Sequence, residues 1–284
     1  ALVGLHYGIQ MSRPKWGFTS DTGGNRTLWI IGGMVVLALG GLLAALGVTL
    51  FETQYVAALL LSVLAYAMIG IGVGASGTSL LALLATATAP TRRAAAATIT
   101  WLMMIFGIAM TAGVAGSFLD PYSPLRLMAV VLTVVSAALA VTVLAVWGIE
   151  CKVVKQREPD PTPFVEGLRE IWAERNARNF TLFVFLSMNA YFMQELILEP
   201  FAGLVFEFTP GQSTKLSGVQ NGGVFAGMLT VGIVATGLKF GALRHWVVAG
   251  CIGSAVALVA IAMAGVGSLA VPLFVLVVGL GFFN

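Results

Sequence analysis

The stretch Asn189-Ala190-Tyr191-Phe192-Met193-Gln194-Glu195-Leu196-Ile197-Leu198-Glu199-Pro200-Phe201 sets two carboxylic acids and two carboxamides inside an apolar run from about Phe180 to Phe208. Ionisable groups in such a run are costly in a bilayer, so they usually face a bundle interior or a cavity and mark function. On a helix Tyr191, Glu195 and Glu199 recur at i, i+4 and i+8 and share one face. Two chemistries suit that face. One is recognition of the polar groups of a bulky apolar ligand; the other is proton coupling, since a membrane glutamate gains or loses its proton as its partners change. A second geometry stays open, because Pro200 disfavours the helical region for Glu199. If the helix stops there, Glu199 lies at the water interface and Glu195, roughly 22 Å along the helix from Phe180, sits in the outer half of the membrane.

Apolar segments must position these groups. Of the 284 residues, 58% are hydrophobic and only 10% are charged, against about a quarter charged in a soluble domain. Mean hydropathy is +0.96. The expectation is an all-α, polytopic membrane protein, and the thirty-four glycines suit close helix packing. The net charge of +3 is spread over loops and makes no nucleic-acid patch. Cys151 and Cys251 belong to no disulfide or metal pattern.

Ala1–Met11 reads as the end of a span, followed by a polar loop over Ser12–Arg26. Spans are predicted at Thr27–Leu50, Tyr55–Thr88, Ala94–Phe118, Leu125–Ile149, Phe180–Phe208, Leu216–Leu238, Trp246–Val266 and Leu269–Asn284. That makes eight after the first. The chain starts without methionine and stops on an apolar run, so we expect a piece of a longer protein. Glu150–Asn179 is the one long hydrophilic connector. Within it Phe164, Leu168, Ile171 and Trp172 fall on one side of a surface helix or of a plain linker helix. Basic residues concentrate in alternate loops, with Arg126 and Lys215 alone on the other side. The rich side, including the long connector, is expected to be cytoplasmic.

The first cytoplasmic loop carries Gly17-Phe18-Thr19-Ser20-Asp21-Thr22-Gly23-Gly24-Asn25-Arg26. Its G-x-x-x-D-x-x-G-x-R spacing resembles the loop signature of the major facilitator superfamily. That resemblance implies a twelve-span fold in two halves and a gating role for Gly17, Asp21 and Arg26. The halves would be residues 1–149 (spans two to six) and 180–284 (spans seven to ten), joined by the linker 150–179. The family often has a basic residue after the aspartate, where this chain has Thr22.

A narrower resemblance rests on Gln194 to Gly203 followed by Asn221-Gly222-Gly223, and on Arg92 to Met103. These stretches are similar to the PucC and LhaA family, a branch of the superfamily linked to bacteriochlorophyll delivery and light-harvesting complex assembly. The Asp21–Thr27 loop departs from the form of that branch, which bears on the particular client. The resemblance implies bacteriochlorophyll or a late precursor as cargo. Implied partners are light-harvesting or reaction-centre polypeptides, bacteriochlorophyll synthase and membrane lipids, in a bacterial inner, intracytoplasmic photosynthetic membrane.

A chlorin is a flat apolar plate with a central magnesium, which takes an axial ligand, and with carbonyls that take donors. Glu195, Glu199, Gln194, Asn189, Gln220 and Asn221 are the candidate polar groups, with Tyr191 and Trp101 for ring packing. His6 is a nitrogen ligand beside a span, set against the commoner structural role of a lone histidine. No nucleophile–base pair or phosphate loop is apparent, so a non-enzymatic protein is expected. Gly70 to Gly77 reads as helix packing. Three functions remain: a pigment carrier or assembly factor, a proton-coupled transporter of a small solute by alternating access, and a scaffold on a vestigial transport fold.

Overall fold

The computed structural model describes residues 2–10, 13, 16, 26–149, 166, 169, 172–238 and 240–284. Among them all regular structure is helical: α1 (Leu2–Gln10), α2 (Arg26–Leu50), α3 (Tyr55–Ala87), α4 (Arg93–Leu119), α5 (Pro124–Val146), α6 (Arg175–Val205), α7 (Pro210–Val231), α8 (Leu243–Gly265) and α9 (Leu273–Phe283). Seven helices among the described residues are long and apolar enough to cross a membrane. The protein is a multi-pass membrane protein. The eighth expected span is shorter than predicted: α9 has 11 residues and starts after Pro272. The seven residues before it turn through Gly267 at a φ of +73°, with Ser268 N–H donating to the Met263 carbonyl.

Two other boundaries moved for identifiable reasons. Helix α7 begins at Pro210 rather than Leu216, because Thr209 and Gln212 form a reciprocal capping box with proline in the first turn. Helix α6 begins at Arg175 and runs through Pro200 to Val205. Proline leaves the Leu196 carbonyl without its usual i+4 donor, but membrane helices tolerate this where neighbouring groups compensate. The reading in which the helix stops before Pro200 is therefore corrected. Most of the long connector, including Phe164, Leu168 and Ile171, lies outside the described residues.

The chain forms two compact units, Ala1–Val153 and Val154–Asn284. In the first, α2 and α3 make the most extensive contact, α1 lies on α3, and α5 lies on α2. The reason is a seam of small residues. Gly33, Gly40 and Gly47 recur every seven positions on α2 and face Ser76, Ala65 and Ser62 of α3. A Cβ added at Gly72 would stand 2.6 Å from the Leu37 nitrogen. Within the Gly70–Gly77 stretch, Gly70 and Gly72 thus serve close backbone approach.

In the second unit Leu198 and Ala202 of α6, Leu216 of α7, Ile261 of α8 and Leu273, Val277 and Leu280 of α9 form the buried core. Phe208 stacks on Phe274 with ring centroids 5.5 Å apart. Here α9 packs mainly on α7. The backbones approach so closely at Gly223, Gly227 and Gly281 that a Cβ at any of them would overlap a backbone atom of the facing helix.

Candidate functional site

Helices α6 and α7 are joined by a short turn and run antiparallel. Their polar tie is Ser217, whose Oγ donates to Glu199 Oε1 at 2.7 Å. Four residues from that tie, or about 6 Å along each axis, stand Glu195 on α6 and Asn221 on α7. Glu195 is half-buried and Glu199 is exposed. Asn221, buried, donates from Nδ2 to the Ser217 carbonyl at 3.0 Å. Glu199, Ser217 and Asn221 therefore make one polar ladder.

The same two helices carry two carboxamides, Gln194 on α6 and Gln220 on α7. Gln220 is 2% exposed, and Gln194 is half-buried. Among the described residues the Nε2 atoms of both are buried without a hydrogen-bond partner. A buried unsatisfied donor costs about 1–3 kcal/mol, so each of these two amides calls for an acceptor that the described residues do not supply. Ser217 was not singled out in the sequence; its i, i+4 spacing to Asn221 was the available signal.

The other predicted residues divide as follows. Asn189 is exposed and donates from Nδ2 to the Phe185 carbonyl of its own helix at 3.1 Å. Tyr191 is half-buried and packs edge-to-face on Phe192, with centroids 5.5 Å apart. Trp101 belongs to α4 of the first unit and is 53% exposed. His6 accepts at Nε2 from the Gln10 side chain at 2.6 Å, so that nitrogen is engaged within α1. Among the described residues no three His, Cys, Asp or Glu side chains gather as a metal site.

Of the loop residues, Gly17 and Asp21 lie outside the described residues. Arg26 starts α2, and its Nη1 donates to Thr86 Oγ1 at 2.7 Å and to the Ala82 carbonyl at 3.4 Å. It thereby holds the C-terminal end of α3, where carbonyls lack helical donors and a cation is favourable.

These helices define a membrane protein built on the major facilitator type of fold. The inward-open xylose transporter XylE from E. coli matches it with a TM-score of 0.60, covering 98% of this chain and 67% of that one, at 15% identity. That identity speaks to the fold alone. The family described as PUCC protein matches residues 1–284, and the chain belongs to that family. It is 64% identical over 288 residues to the bacteriochlorophyll synthase 44.5 kDa chain of Rhodobacter capsulatus, covering 100% of this chain and 66% of that protein. It is also 26% identical over 235 residues to the protein PucC of Rhodobacter capsulatus, covering 77% of this chain and 51% of that protein. The chain thus spans 66% and 51% of the lengths of these two relatives. The family and these names place it in photosynthesis.

Proposed function

We propose that the protein is a non-enzymatic assembly factor that holds bacteriochlorophyll, or a late precursor, and delivers it to light-harvesting or reaction-centre polypeptides or to the pigment synthase. The observation that carries this reading is two buried, unpartnered carboxamide donors, Gln194 of α6 and Gln220 of α7, on the two helices that the Ser217–Glu199 hydrogen bond ties together. A chlorin offers carbonyl acceptors to such donors and an apolar plate to the surrounding side chains. The residues fit the pigment as cargo; it would bring its own magnesium, and His6 is a poor axial ligand because its Nε2 is already engaged. The names of the relatives support a place in the pigment pathway. An intracytoplasmic photosynthetic membrane is the corresponding location.

The test is an absorption spectrum of the gently solubilised full-length protein, with its co-purifying subunits identified. The wild type should carry a chlorin band. Replacing Gln220 by leucine should cut the bound pigment while leaving the pigment-free protein as stable or more so, because it removes an unsatisfied donor. A wild type free of pigment, from cells whose pigment–proteins are unaffected by deletion, would overturn the proposal.

The fold favours one alternative, proton-coupled transport of a small solute, for which Glu195 is the coupling group. Solute counterflow abolished by Glu195→Gln, in a protein that never carries pigment, would establish it.

A further inference from the structure

We infer that the turn between α7 and α8 is a membrane-surface anchor: Leu238 and Phe240 dip below the headgroups of an anionic leaflet, and Arg244 takes a lipid phosphate above them. The turn joins two membrane spans, Pro210–Ala235 and Arg244–Gly265, so it lies at a bilayer edge. Its shape is fixed by its own hydrogen bonds. The end of α7 widens into a π-helix over Gly232–Gly237, after which the Leu238 N–H donates to the Ile233 carbonyl at 2.9 Å and the Phe240 N–H to the Val234 carbonyl at 3.0 Å. Gly241 then turns the chain at a φ of +77°, and Trp246 Nε1 donates back to the Phe240 carbonyl at 3.0 Å.

A turn closed in this way leaves Leu238 71% and Phe240 70% exposed. In water that exposure forfeits the burial that stabilises large apolar side chains. A lipid surface supplies it, and the helices on either side carry further exposed apolar residues, Ile233, Val247 and Val248. Trp246 stands where indoles collect, at headgroup level. The charge at this edge selects the leaflet. Arg244 and His245 are exposed, Lys239 adds another basic residue in the sequence, and no Asp or Glu follows Glu207. Helix α6 starts at the same end, since it runs antiparallel to α7. The connector leading into it, 150–179, carries six acids and six bases, so it cancels itself and leaves the positive charge of the turn standing. Arg244 does not serve its own helix, because a cation is unfavourable at a helix N-terminus. Its guanidinium fork suits phosphate oxygens, and an anionic leaflet attracts it.

The probe is the full-length protein with a nitroxide on Phe240→Cys, in a background without other cysteines, reconstituted into vesicles of phosphatidylcholine alone or mixed equally with phosphatidylglycerol. Depth is read from the relative access of oxygen and a nickel chelate to the label. With phosphatidylglycerol present the label should lie about 5 Å or more below the phosphates. Arg244→Ala should raise it toward water in those vesicles and leave it unmoved in phosphatidylcholine alone, whereas Arg244→Lys should keep the depth. A label in bulk water in both vesicles overturns the anchor, and so does an Arg244→Ala shift that ignores lipid charge. A label shielded from both reagents also overturns it, by giving the patch to another segment of the protein. None of these readouts depends on bound pigment.

Discussion

The Ser217 hydroxyl and the Glu199 carboxylate are eighteen residues apart in sequence, yet 2.7 Å apart in space. If they act together, Ser217→Ala and Glu199→Gln are not additive. A double-mutant cycle read by thermal unfolding in detergent should give a coupling of about 0.5–1.5 kcal/mol; zero coupling would mean that the bond is not formed in solution. The acids and carboxamides were legible in the sequence because polar groups stand out against an apolar run. Their partners were not. Ser217 and Thr86 are ordinary small residues in membrane helices, and only the register between helices brings Ser217 to Glu199 and Thr86 to Arg26. Propensity and periodicity carry no information about that register.

For whole helices, composition located most spans to within a few residues, since a bilayer requires about twenty apolar residues in succession. It misplaced the start of α7, where the Thr209–Gln212 capping box was readable but was overridden by the polar look of the segment. It also overstated α9, where Pro272 sets the start. The glycine stretch of α3 was legible as packing, but which glycines carry it was not. Gly72→Ala should destabilise the first unit by about 1–3 kcal/mol, because its methyl group would press on the Leu37 backbone. Gly77→Ala, with nothing within 4 Å of the added carbon, should be neutral or stabilising. Melting temperatures of the two variants, measured side by side, decide the matter. Arg26→Ala should likewise loosen the α2–α3 end by about 1 kcal/mol, seen as faster hydrogen exchange of the last turn of α3.

At the level of the whole molecule, a transporter-like fold and the PucC family meet in one chain, and the acid pair is where the two functional readings diverge. Under the carrier reading, Glu195→Gln should lower pigment retention by several-fold or less, since a carboxamide still offers a hydrogen bond. Under the transporter reading it should abolish coupling altogether. Pigment occupancy and proton flux measured on the same preparation separate them. The membrane class was written in composition, and the family in short motifs such as Gln194 to Gly203.

The glycine contact between α7 and α9 has a mechanical corollary. Because backbone rests directly on backbone at Gly223, Gly227 and Gly281, neither rod can roll or slide past the other without collision, and the two travel as a single girder. Helix α6 touches α7 far more lightly and carries the proline that weakens its own spine. Of the two helices that flank α7 here, α6, which bears both acids, is the one less firmly held to it. Under the carrier reading, a disulfide locking α7 to α9 should leave pigment exchange untouched, whereas one pinning α6 to α7 should slow it.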